Sequence, residues 1–159
     1  DHRDLHSFPT RRSSDLNRVA AGRMLSYPVT ACTDVTGFGL LGHLLEMCIP
    51  QALGADLFSD SIPLLPSVET LVREGYMPVG SIENWESAKA HVQLSPRLSP
   101  HTPLILSDAQ TNGGLLITLP GDLAVGFVKD LQQAGVVSAA LIGRIKASQG
   151  IVIRKGEFC

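Results

Sequence analysis

Cysteine is scarce in this chain: only Cys32, Cys48 and Cys159 occur in 159 residues, and no two form a CxxC pair. An odd count without that spacing argues against a disulfide framework and a zinc site, and fits a reducing compartment, the cytoplasm. Long hydrophobic runs are also missing. Every apolar stretch falls far short of the ~20 residues that cross a bilayer, and no secretory signal is visible, so no membrane partner is expected. Basic runs are absent beyond the first residues, and the formal net charge is −2. That leaves no footprint for a phosphate backbone, and nucleic acid is not an expected partner. What remains is 44% hydrophobic and 18% charged, with 15 Gly and 10 Pro. This is the composition of one soluble globular domain with many turns.

The head of the chain, residues 1–16 (DHRDLHSFPTRRSSDL), is unlike the rest. It has neither a 3.6-residue nor a 2-residue apolar period. It resembles the translation of a sequencing adapter through its whole length, and is set aside as a tag would be. The segment is expected to be non-native and disordered, which makes Asn17 no true N-terminus and removes His2 and His6 as candidate ligands. Its three arginines and three aspartates cancel, so the net charge stays at −2 without it.

From Asn17 onward, strands and helices alternate. Residues 17–25 are good helix formers, broken by Ser26-Tyr27-Pro28. Residues 29–34 read as a strand. A helix follows from Thr36 or Gly37 to Cys48, its apolar face made by Leu40, Leu41, Leu44, Leu45 and Cys48. Residues 55–59 read as a strand, and Pro66 opens a short helix to Arg73, stopped by Gly75. Residues 80–84 read as a turn, residues 85–91 as helical, and the proline-rich 95–103 as a loop. Residues 115–119 (LLITL) form the clearest buried strand. Asp122 is placed to cap the next helix, in which Leu123, Phe127, Leu131 and Ala134 recur at helical spacing. Residues 136–145 and 151–154 close the chain as strands. The class is α/β or α+β, with one sheet and helices packed against it.

Two segments carry candidate chemistry. Gly37-Phe38-Gly39-Leu40-Leu41-Gly42 is a literal GxGxxG, which in a Rossmann unit binds a dinucleotide's pyrophosphate at a helix N-terminus, and Asp60 lies near the position of a ribose-binding carboxylate. Against this, Thr33, Asp34 and Thr36 interrupt what should be a continuously apolar strand. Asp34, at a strand end beside a helix start, has two other readings. It can bind a Mg²⁺ that bridges nucleotide phosphates, or it can cap the helix by accepting N–H bonds from residues 36 and 37. His43 and Glu46 stand at i, i+3 and read as a locally bonded pair, while Cys32 and Cys48 read as small core residues.

The run Thr33-Asp34-Val35-Thr36-Gly37-Phe38-Gly39-Leu40-Leu41-Gly42-His43 resembles a signature of selenophosphate synthetases (selenide, water dikinases). So does Asp108-Ala109-Gln110-Thr111-Asn112-Gly113-Gly114-Leu115-Leu116, although the family has proline at the position of Ala109 and serine at that of Asn112. Gly80-Ser81-Ile82-Glu83-Asn84 is similar to a family Gly-[Ser/Thr]-x-x-Asn turn. The resemblance implies that residues 17–159 are the C-terminal domain of such an enzyme, without its N-terminal domain. The implied fold is α+β, a mixed β-sheet with helices on one face, as in the aminoimidazole ribonucleotide synthetase superfamily. The implied reaction makes selenophosphate from selenide, ATP and water, releasing AMP and phosphate, with Mg²⁺ as cofactor. Asp34 would be a metal ligand, and Gly37 and Gly39 would let backbone approach the phosphates. The catalytic Cys or selenocysteine and its lysine partner would lie in the missing N-terminal segment, so this chain alone is expected to be inactive. The parent is expected to be a homodimer, held largely through the N-terminal domain. The alternatives are a free-standing nucleotide-binding or interaction module, and a Rossmann-type dinucleotide binder through Gly37–Gly42.

Overall fold

The computed structural model describes residues 16–158. The head set apart above, with His2 and His6, therefore lies outside the described residues except for Leu16, and so does Cys159.

Helix α1 (Arg18–Met24) precedes strand β1 (Ala31–Asp34), helix α2 (Gly39–Cys48) and strand β2 (Gly54–Phe58). Helices α3 (Val68–Arg73) and α4 (Val79–Ala88) lead to strand β3 (Val92–Leu94) and helix α5 (Thr102–Leu106). Strand β4 (Leu115–Thr118), helix α6 (Gly121–Gln133), and strands β5 (Gly143–Lys146) and β6 (Gly150–Arg154) complete the order. The fold is α+β, as the sequence implies, but the strands divide between two sheets. β1 and β4 form an antiparallel ribbon in which Asp34 is opposite Leu115 and Cys32 opposite Ile117. The other four strands form a mixed sheet in the order β3-β6-β2-β5, with β6 parallel to both β3 and β2, and β5 antiparallel to β2.

This division excludes the Rossmann reading. A dinucleotide unit needs β1 and β2 parallel in one sheet, whereas β1 here pairs only with the antiparallel β4. Asp60 sits in a 3₁₀ turn at Ser59–Ser61 and is bound by Lys155 at 2.7 Å.

Two apolar clusters hold the parts together. In the larger, α2 lies on the mixed sheet, and Leu40, Leu41, Leu44, Leu45 and Cys48 are all buried with Ala55, Leu57, Ile151 and Ile153. Each such aliphatic side chain contributes roughly 1.5–3 kcal/mol by leaving water. The smaller cluster packs α1 against α6 through Ala20, Phe127 and Leu131, with Leu115 and Ile117 of the ribbon beneath them. Alternation along β4 serves both, since Leu116 points into the large cluster and its two neighbours into the small one.

Several local expectations change. Residues 80–84 are not a turn but the first half of α4, which begins at Val79 directly after Pro78. The expected helix at 85–91 is the end of α4 followed by a 3₁₀ turn at Lys89–His91. Asp122 does not cap α6: the helix starts one residue earlier, with Pro120 at the cap position and no side-chain cap bond. Of the expected 136–145 strand only residues 143–145 lie in a strand, which runs on to Lys146 and pairs with β2. The end of the expected 95–103 loop is the first turn of α5, with Pro103 placed where its missing N–H costs nothing.

Candidate functional site

Three segments distant in sequence meet beyond the C-terminal end of β1. The Val35 N–H donates to the Gly114 carbonyl at 2.9 Å, and the Gln110 N–H donates to the Thr36 carbonyl at 3.1 Å. These bonds extend the ribbon into its loops, so residues 33–43 and 107–114 become neighbours. The third segment enters from α4. Asn84 Nδ2 donates to the Gly37 carbonyl at 2.8 Å and to the Ser107 carbonyl at 3.1 Å. One amide group therefore uses both N–H bonds to tie the two loops together. One turn earlier, Ser81 Oγ donates to Asp108 Oδ1 at 3.1 Å and accepts from the Ala109 N–H at 3.3 Å. Proline at 109 would have no such N–H, so alanine there brings a tether of its own. Asn112 keeps a negative φ.

Gly39 has φ +67°, and a Cβ on it would stand 2.6 Å from the Ser107 carbonyl carbon. The Cβ side of Gly39 is thus filled by the Ser107 backbone. Gly37 is different: it is exposed, and a Cβ on it would meet open space.

Asp34 ends β1 on the surface, and its carboxylate makes no hydrogen bond or ion pair among the described residues. The capping alternative fails, because α2 starts at Gly39 with Phe38 at the cap position and no side-chain cap bond. Cys32 shares the Asp34 face of the ribbon and is exposed, not a core residue as expected. Partial burial of its thiol, and then the charge of Asp34, push its pKa above the ordinary value. Cys48 is buried as expected, and burial raises its thiol likewise.

His43 and Glu46 do form a local pair, Nδ1 to Oε2 at 2.9 Å, while His43 Nε2 meets Thr36 Oγ1 at 3.1 Å. The buried imidazole lies 5.6 Å from the Phe38 ring, centroid to centroid. It braces the turn between β1 and α2. Among the described residues no three His, Cys, Asp or Glu side chains gather as a metal site. The exposed Asp34 carboxylate presents hard oxygens free of internal bonds among the described residues.

Asn84 and Ser81 were visible in the sequence only as parts of a presumed turn. A helical reading would have put them one turn apart on one face. A second polar group was missed altogether: Asp56, buried in β2, with Arg144, Lys146 and Arg154 around it. Its signal was a lone carboxylate inside the apolar run Gly54–Phe58, since a buried charge requires partners.

The fold and this site, an aspartate and a glycine turn at a strand end strapped to a neighbouring helix, place the chain in a recognised class. A family model described as AIR synthase related protein, C-terminal domain, matches residues 6–156, starting within the segment set apart as foreign. The chain belongs to that family. Within it, the chain is similar to selenide, water dikinases. It is 42% identical to that of Myxococcus xanthus (strain DK1622), over 84% of this chain and 38% of the relative. It is 40% identical to that of Pseudomonas straminea, over 85% and 38%, and 39% identical to that of Geobacter metallireducens, over 87% and 40%. The chain thus spans about two fifths of the length of the curated relatives it matches.

Proposed function

We propose that residues 17–159 are the C-terminal part of a selenide, water dikinase, an enzyme that forms selenophosphate from selenide, ATP and water and releases AMP and phosphate. The observation that carries this reading is the exposed, unpartnered carboxylate of Asp34 beside the open backbone of Gly37, held by three interlocked segments. Asp34 is the proposed Mg²⁺ ligand, and the Gly37 backbone is the proposed edge of the nucleotide site. Mg²⁺ bound with ATP would neutralise charge on the phosphates, the main requirement of phosphoryl transfer. The chain's own part is to present one carboxylate in fixed position. The junction around Asn84 supports this by holding the loop after Asp34 from two sides. Gly39 belongs to that support and makes no nucleotide contact in this reading.

In the same proposal, the parent enzyme is a cytoplasmic homodimer, and this chain alone turns over no ATP, because no three metal-ligating side chains gather among the described residues. Calorimetric titration of the chain with Mg-ATP, together with phosphorus NMR in the presence of selenide, tests both parts. Weak Mg-ATP binding that disappears in Asp34→Ala, without turnover, is the expected result. Binding that survives Asp34→Ala would point to a nucleotide-binding module that does not use this carboxylate. Turnover above a protein-free control would overturn the expected inactivity.

A further inference from the structure

The mixed sheet has a second face, turned away from α2, and its charges do not balance. Asp56 of β2 is only 5% exposed. Lys146 Nζ reaches its carboxylate at 3.2 Å, and one guanidinium nitrogen from each of Arg144 and Arg154 reaches it at 3.4 Å. The register explains the gathering: Arg144 is directly opposite Asp56, and Lys146 and Arg154 stand opposite its strand neighbours Gly54 and Phe58, on the same face. One carboxylate therefore holds three cations, and among the described residues the cluster carries two positive charges without a further acidic partner. Arg144 and Arg154 are 65% and 49% exposed, and each gives Asp56 only one nitrogen, so their remaining donors are available to a ligand.

Lys146 joins this cluster to a cavity of about 450 Å³, lined also by His91, Gln93, Ser148, Gln149 and Val152 but by neither arginine. Its shape comes from the short β5–β6 connection, which arches over the start of β2. The arch passes so close that a Cβ on Gly54 would stand 2.1 Å from the Gly150 carbonyl oxygen and 2.3 Å from that of Ser148. Lys146 belongs to both features, bound to Asp56 and lining the cavity.

We propose that this face is a binding site for a phosphate-bearing small molecule, separate from the Asp34 site. A phosphate monoester carries roughly −1.5 to −2 at neutral pH, which matches the surplus of two charges better than a single carboxylate does. Arginine forks are suited to phosphate oxygens. The cavity lies within the range of ~300–1,000 Å³ that holds small ligands, and its amide and hydroxyl groups can bind the body of the molecule. Asp56 sets the three cations in register and keeps them from spreading apart.

The test is an amide NMR titration of the whole chain with inorganic phosphate, ribose 5-phosphate, and a short poly-glutamate peptide, each at constant ionic strength. Saturable shifts at Gln93, Lys146, Ser148 and Gln149 with ribose 5-phosphate are expected, unchanged in Asp34→Ala. Saturation by inorganic phosphate alone would show that the charge is read without the body of the molecule, and would overturn the assignment of the cavity. Lys146→Gln should weaken binding about tenfold or more, the loss of one charge-assisted hydrogen bond. Arg144→Gln, on an exposed side chain, gives a second variant if Lys146→Gln loses its native spectrum. Absence of saturable shifts, or saturation by poly-glutamate and not by the phosphates, would overturn the proposal.

Discussion

Asn84 controls more of the site than its size implies. Its amide ties the Gly37 loop to the Ser107 turn through two hydrogen bonds. Asn84→Ala would leave two carbonyls without that donor, at a cost of about 1–3 kcal/mol, to be read as a lower urea midpoint with an unchanged slope. Ser107 makes the opposite prediction. It is fully buried, and its hydroxyl has no partner among the described residues. Ser107→Ala removes an unsatisfied polar atom and keeps the packing, so it should raise stability by about 1 kcal/mol. A melting temperature that falls instead would mean that the hydroxyl is bonded to a buried water.

Among the elements, legibility followed the strength of local patterns. The five apolar residues of α2 are legible because their spacing is helical and their burial complete. Likewise β4 is legible, as a run of aliphatic residues between two glycines and a proline. The start of α4 was not, since Gly80-Ser81 scores as a turn on propensity, while Pro78 at the cap and burial of Ser81 against Asp108 make it helix. The division into two sheets was equally hidden, because nothing local in β1 says whether its partner is β2 or β4. Asp34 could be named from the sequence, but its freedom from internal bonds could not. Helix α6 offers a check on propensity itself. Gly126 lies in its interior, exposed, with open space where a Cβ would go. Gly126→Ala should stabilise the protein by about 0.5–1 kcal/mol, measured by thermal or urea unfolding.

For the whole molecule, the Asp56 cluster ties β2, β5 and β6 together and gives stability a pH dependence. Burial pushes the Asp56 carboxyl up, but Lys146, Arg154 and Arg144 together outweigh it and hold its pKa below the ordinary carboxylate value. With the folded pKa below the unfolded one, the unfolded chain takes up more protons in acid. The contribution is therefore complete above the unfolded carboxylate pKa of about 4 and drains away as pH falls through the folded value. Asp56→Asn should lose about 1–3 kcal/mol at pH 7, between surface and buried ion pairs in scale. It should also flatten the acid limb of a stability-against-pH curve. An unchanged acid limb would mean that other carboxylates set it.

The claim on which the account turns is that Asp34 serves a magnesium–nucleotide site completed by a longer protein. Residues 17–158 can be exchanged for the matching part of one of the related selenide, water dikinases, and selenophosphate followed by phosphorus NMR. Turnover is expected in this chimera, with a loss of at least about 100-fold when it carries Asp34→Ala. A folded chimera whose turnover is unaffected by Asp34→Ala would contradict it.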